Sequence, residues 1–242
     1  MPRAGRMLPD TLVRLTERVW FLPHDEPTDR PVLGYARGDR LALAVDAGAS
    51  PAHVAAFYRA LENEGLPLPV ITAITHWHWD HAFGMASVHG LTVACRATND
   101  LLRTERERLR AGDRPDELRR TMRGFALEFP PGSVPTVATS DIAFEGTLEL
   151  DLGGVTARLV QSASPHTPDA VLVHLPEEGT VFMGDAACAD YDGPAAPFLD
   201  RAKLAALGET VMGLGCQWHL HGHWEPLDRA GVAEDFDPQR ME

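Results

Sequence analysis

The segment that most constrains this chain is Val70-Ile-Thr-Ala-Ile74, followed at once by Thr75-His-Trp-His-Trp-Asp-His81. A short apolar run reads as a buried strand. The chain that leaves it carries three histidines and an aspartate within residues 76–81. His76 and His78 are two apart, so an extended backbone turns both imidazoles to one side. Imidazole and carboxylate suit zinc, iron or manganese, and the mixture of nitrogen and oxygen donors favours zinc. A fold containing this segment has to bring a strand end to a place where several ligands converge. Of eleven histidines in 242 residues, six fall in two short segments, 76–81 and 219–223.

The remaining pattern supplies sheets and helices around that point. Short strands are expected within 11–21 and 32–35, then over Leu41–Val45, closed by Asp46-Ala-Gly48. Ser50 and Pro51 read as the N-cap and first position of a helix that runs to about Glu64 and stops at Gly65. A helix is expected to begin near His81, with a strand at 91–95. Another helix, capped by Thr98 or Asn99, runs to about Arg110, and a further one covers 116–129. Strand signals return at 142–144, 148–152, 155–160, 170–175 and 181–183. A helix around 198–208 then precedes a last strand at 216–220 that runs into His221-Gly-His223. With no internal repeat or linker, the order predicts one α/β domain over residues 1–242, its sheets flanked by helices, with a helical insertion or lid at about 97–130.

Composition narrows the function classes. Against 22 basic residues stand 35 acidic ones, a formal charge of −13, which argues against nucleic acid or an anionic membrane as partner. Three cysteines do not make a disulfide scaffold. No stretch approaches the roughly 18 apolar residues of a membrane span, and the first residues lack an apolar signal core, so a cytoplasmic protein is expected. A small-molecule substrate and a monomer or homodimer complete that expectation. Lys203 is the only lysine, which codon usage explains as well as any task. Eight of the arginines lie in 103–123 against five acidic residues. They read as solvated helices laced by i,i+3 and i,i+4 pairs, or alternatively as a lid recognising an anionic substrate. Phe125, Leu127 and Phe129 are candidates to line the groove beneath.

Thr75-His-Trp-His-Trp-Asp-His81 resembles the T-H-x-H-x-D-H signature of the metallo-β-lactamase superfamily, and further similarities follow in order. Val45-Asp-Ala-Gly48 is similar to the family's early Asp-x-Gly turn and Pro165-His-Thr-Pro-Asp169 to its G-H-T-P segment. Phe182-Met-Gly-Asp185 is similar to its Gly-Asp strand end, and Gly222-His223 to its late G-H. The resemblance implies a four-layer αβ/βα sandwich, two mixed sheets with helices on the outer faces, and a two-metal site at one edge. Carried over, it gives His76, His78 and His166 to the first ion, Asp80, His81 and His223 to the second, and Asp185 as the bridge. His221 and then His219 are the alternatives to His223. Asp46 is expected to hold loops by hydrogen bonding, and His24, His53, His89 and His174 are read as ordinary.

The activity implied is a metal-dependent hydrolase. A hydroxide shared by two divalent ions, zinc or else iron or manganese, attacks an ester, lactone or thioester, while Asp80 orients it and passes a proton. The alternatives are a phosphodiesterase or β-lactam hydrolase on the same site. A mononuclear-iron persulfide dioxygenase is another, using His76, His78 or His166, and Asp185. Cysteine stands at Asp185's position in authentic metallo-β-lactamases, and Cys188 occupies the place where several carry a substrate-binding lysine. That departure turns the expectation away from antibiotics.

Overall fold

Strands buried at every position can exist only between two other layers, and both Ala42–Val45 and Val171–Leu175 are buried throughout. The computed structural model describes residues 11–192 and 196–236. Its first sheet takes seven strands in sequence order: β1 (Val13–Arg14), β2 (Val19–Leu22), β3 (Leu33–Arg37), β4 (Ala42–Val45), β5 (Ile71–Ala73), β6 (Leu91–Cys95) and β7 (Ile142–Phe144). Pairing is antiparallel through β4 and parallel from β4 to β7. The second sheet contains β8 (Thr147–Asp151), β9 (Thr156–Gln161), β10 (Val171–Leu175), β11 (Thr180–Gly184), β12 (Trp218–His221) and β13 (Leu227–Asp228). Within it β11 and β12 run parallel and the other neighbours antiparallel.

The sheets face each other across a core that joins Phe21, Val45 and Val93 of the first to Leu159, Val173 and Phe182 of the second. On the first sheet's outer face, α1 (Pro51–Asn63) sets Phe57, Ala60 and Leu61 against Leu22, Leu33 and Tyr35. On the second sheet's outer face, α6 (Arg201–Gly213) and α7 (Arg229–Asp235) set Leu204, Leu207 and Val232 against Leu172, Val181 and Met183. Each such large side chain contributes about 1.5–3 kcal/mol on burial. The result is the expected four-layer αβ/βα sandwich of two mixed sheets. Neither β13 nor α7 is foreseen from the sequence. No helix among the described residues is long and apolar enough to cross a membrane.

Ser50 caps α1 as expected, its Oγ accepting from the His53 N–H at 3.2 Å. His53 is fully buried, and its Nδ1 accepts from the Ala49 N–H at 3.3 Å. Burial, with Arg30 and His81 adding to it, pushes this imidazole down to about 3. Below its ordinary value near 6.5 the unfolded chain therefore binds a proton that the fold refuses, and stability falls as pH drops from there towards 3. At about pH 5 this single group costs about 2 kcal/mol. Urea unfolding of metal-free protein between about pH 5 and 7.5 should include that slope, and His53→Gln should reduce it by one proton's share, His76 and His221 keeping theirs because burial holds them neutral too. Equal slopes in both proteins would assign the acid sensitivity elsewhere.

Between β6 and β7 lie α3 (Arg96–Arg110), α4 (Arg114–Thr121) and α5 (Arg123–Glu128). Two expectations are corrected here. Helix α3 starts at Arg96, so Thr98 and Asn99 are buried within it, and the Asn99 amide serves Ser140 instead of capping. The helix expected over 116–129 breaks at Met122, whose backbone is extended (φ −123°, ψ 106°). The break turns Phe125 and Phe129 down onto Trp79 and Phe83, with ring centroids 5.4 and 6.4 Å apart, while α4 stays above. Phe125 and Phe129 are thus core, and Leu127 faces solvent; none of the three lines the groove.

Candidate metal centre

All seven candidate ligands sit where strands of both sheets end on one side. β5 delivers Thr75 and His76; the chain then turns, with His78 preceding the four-residue helix α2 (Trp79–Ala82), which holds Asp80 and His81 on one turn. The helix thus starts at Trp79, two residues earlier than expected. His166 lies in the loop between β9 and β10, Asp185 follows β11, and His223 follows β12. Ligand atoms of His76, His78 and His166 lie within 4.8 Å of one another, as do those of Asp80, His81, Asp185 and His223.

Each histidine gives one ring nitrogen to an outer partner, and these bonds assign the tautomers. Asp46 is the hub. It accepts from the Thr75 N–H (2.7 Å), the Thr75 hydroxyl (2.9 Å) and His81 Nδ1 (2.8 Å). The Thr75 hydroxyl, having donated to Asp46, accepts from His76 Nδ1 at 3.1 Å. His78 Nε2 donates to Asp192 at 2.7 Å and His166 Nδ1 to the Ala189 carbonyl at 2.6 Å. His223 Nδ1 lies 3.4 Å from Asp29. The other nitrogen of each ring points inward. His76 Nε2, His81 Nε2 and Asp185 Oδ1 are buried without a hydrogen-bond partner. His78 Nδ1 and His166 Nε2, both stripped of hydrogen by those tautomers, face each other at 2.9 Å. Facing ring nitrogens in this part-buried site are satisfied by a proton or a metal ion between them. The donor set therefore fits divalent metal ions.

Electrostatics describe the same need. Burial opposes a charge on His81, but Asp80, Asp185 and Asp46 outweigh it and raise it well above its ordinary value. Burial likewise opposes ionisation of Asp185, yet His81 and His223 hold it well below the usual carboxylate range. His76 goes the other way: burial, then His81 and His78, keep it neutral and ready to ligate. His223 Nε2 is 3.1 Å from Asp80 and 3.2 Å from Asp185, and His81 Nε2 is 3.4 Å from each. His221 Nδ1 lies 3.9 Å from Asp185 and accepts the His223 N–H, while its ring packs on Trp224 at 3.8 Å. It supports His223 and stays outside the cluster, as does His219.

Asp29, Asp192 and His24 escape sequence reasoning. His24, read as ordinary, packs edge-on against His223 at 4.9 Å. Asp192 lies 114 positions from the His78 it orients, and no local pattern links them. Asp192→Ala should weaken divalent-ion binding by about tenfold, the low end of what outer partners of ligating histidines contribute, with Asp192→Asn recovering part through its carbonyl. Competition against a chromophoric chelator reads this directly; unchanged affinity in both variants would reduce Asp192 to a surface residue.

The groove over this cluster holds about 350 Å³ and is walled by Trp77, Trp79, Leu118, Met122, Tyr191 and Trp224. Arg114 and Glu105 also reach it from the arginine-rich helices. Arg103 and Arg108 follow the solvated reading in i,i+3 pairs with Asp100 and Glu105, whereas Arg119, paired with Asp116, is mostly covered and also donates to the Phe129 and Ser133 carbonyls.

The sequence profile described as the metallo-beta-lactamase superfamily matches residues 34–239. Similar folds include a metallo-beta-lactamase from Pontibacter korlensis, at 16% identity and TM-score 0.68, covering 96% of this chain and 99% of that one. The stereoselective inverting sec-alkylsulfatase Pisa1 from Pseudomonas sp. is similar at 14% identity and TM-score 0.70, over 93% of this chain and 41% of that one. The DIM-1 metallo-beta-lactamase is similar at 15% identity and TM-score 0.65, over 93% and 94%. No curated protein matches the chain.

Proposed function

The chain belongs to the metallo-beta-lactamase superfamily, and from that membership we propose a metal-dependent hydrolase that opens an ester, lactone or thioester of a small molecule. The observation that carries the proposal is the set of inward-facing ring nitrogens, each with its far side already bound to an outer acceptor. In this reading His76, His78 and His166 hold one ion, Asp80, His81 and His223 a second, and Asp185 lies between. Zinc suits these donors best. When bound, the ions supply Lewis-acid polarisation of the scissile carbonyl and acidify water towards neutral pH.

The protein's own contribution is orientation and proton handling. Asp46 and Thr75 lock His76 and His81 as one unit, so both halves of the site move together or not at all. Asp80 uses Oδ2 towards His81 and His223, which leaves Oδ1 as the atom that takes a proton from the attacking water and returns it to the leaving group. Trp79 and Phe83 beneath the groove exclude water from the ligands' outer side. A mononuclear-iron oxygenase needs no second cluster, and the buried carboxylates and histidines of that cluster favour two ions.

Purified protein should retain two equivalents of zinc and hydrolyse a lactone, thioester or aryl ester faster than a β-lactam or a bis-aryl phosphodiester. His78→Ala should abolish it. Equal residual activity in that variant, or a single iron with oxygen uptake on a persulfide, would overturn the assignment.

A further inference from the structure

The outer part of the groove has a charge pattern of its own. Apart from the candidate ligands, its charged lining among the described residues is Asp29, Glu105, Arg114 and Asp192, three carboxylates against one guanidinium. That guanidinium is already engaged. Arg114 Nε donates to Glu105 at 2.9 Å, and its terminal nitrogen lies 3.2 Å from Glu117. Glu105 is buried, so the pair is fixed, not a loose surface contact. Asp192 and Asp29 pair with His78 and His223, and both line the groove with partly exposed carboxylates. The remaining walls are apolar. At the mouth, Tyr191 and Trp224 are 62% and 57% exposed, large aromatic surfaces that a ligand would cover.

Resting on the hydrolase reading above, we propose that this groove selects substrates without negative charge: a neutral or cationic ester, lactone or thioester whose apolar or aromatic portion lies between Tyr191, Trp224, Leu118 of α4 and Met122 just after it. Away from the ions, whose charge would draw the reacting end of any substrate, a distal anionic group would meet carboxylates and a guanidinium already paired with glutamates, and the chain's formal charge of −13 adds to that repulsion at a distance. A cationic group gains both the carboxylates and the aromatic faces. This stands against the alternative reading of the arginine-rich helices as an anion-recognising lid: the one arginine they bring to the groove is held by glutamates of the same helices.

The test uses three aryl esters that share a reacting group and differ distally, carrying a neutral, a carboxylate or a trimethylammonium substituent, with their non-hydrolysable amides. Binding of the amides to the zinc-loaded and metal-free protein is read by tryptophan fluorescence. The neutral and cationic amides should bind at least about tenfold tighter than the carboxylate, a ratio that shrinks with added salt. With the esters the same ratio should appear in KM more than in kcat. Met122→Lys places a cation on the wall and should improve the carboxylate's kcat/KM by about tenfold. Glu117→Gln, which removes an exposed counter-charge from Arg114, should move it the same way by a smaller factor. Ordered binding without hydrolysis would support the groove's selectivity and sink the hydrolase reading. Tightest binding of the carboxylate, or no binding of any amide, would overturn the selectivity.

Discussion

On the proposed two-ion reading, Asp185→Asn should remove the ion assigned to Asp80, His81 and His223 and cut kcat by roughly a thousandfold, equivalent to about 4 kcal/mol of transition-state stabilisation. The side chain is nearly fully buried, with Oδ2 3.2 Å from His223 Nε2 and Oδ1 3.4 Å from His81 Nε2. Oδ2 also lies 3.9 Å from His166 Nε2, so Asp185 is the carboxylate that reaches both clusters. Asparagine keeps the shape and loses the charge, and its NH2 has no lone pair to offer an ion. Asp80 cannot compensate, because it approaches only the second cluster. Metal content after dialysis and competition with a chromophoric chelator would show one equivalent retained weakly and one lost. Two equivalents held with native affinity would mean that Asp185 does not join the clusters.

The ligand positions that converge were legible in sequence where chemistry is local. His76, His78, Asp80 and His81 are brought together by one strand end and one helical turn, so spacing alone predicts their proximity. Asp46, too, could be read as a loop-holding residue, and it holds Thr75 and His81. Asp29, Asp192 and His24 could not be read, because their neighbours are set by loop paths between distant strands. The arginine-rich segment shows a different limit. Helical periodicity foretells that Phe125 and Phe129 are on one face, but not whether that face meets the groove or the core. The break at Met122 decides it, turning them inward and leaving Leu118 and Met122 above the site. Charge counting allows solvated helices and an anion receptor alike, and only the placed i,i+3 partners and the buried Glu105 separate them.

Gly222→Ala, one methyl group away from the native protein, should be nearly as damaging to the site as losing Asp185. Gly222 does not adopt a left-handed φ, so backbone conformation alone does not demand glycine there. Space does. A Cβ at this position would lie 2.1 Å from Asp185 Oδ1 and 2.8 Å from His81 Cε1. The backbone cannot retreat, because the Gly222 N–H donates to the Gly184 carbonyl at 3.0 Å and its own carbonyl accepts from the Val32 N–H at 2.6 Å. That clamp ties β11 and β12 of one sheet to the chain entering β3 of the other. Relief must therefore come from Asp185, which would leave its place between the clusters. Divalent-ion affinity should fall by more than a hundredfold, beyond the range of outer-partner losses. The fold itself should lose only about 1–3 kcal/mol, the usual cost of overpacking. Gly213→Ala, at the end of α6 with open space around it, is the control and should leave both quantities within error or stabilise slightly. A Gly222→Ala protein that keeps two equivalents of zinc and native kcat would show that Asp185 can bridge from elsewhere. The glycine of the Gly-His pair would then be a turn residue and not a wall of the metal site.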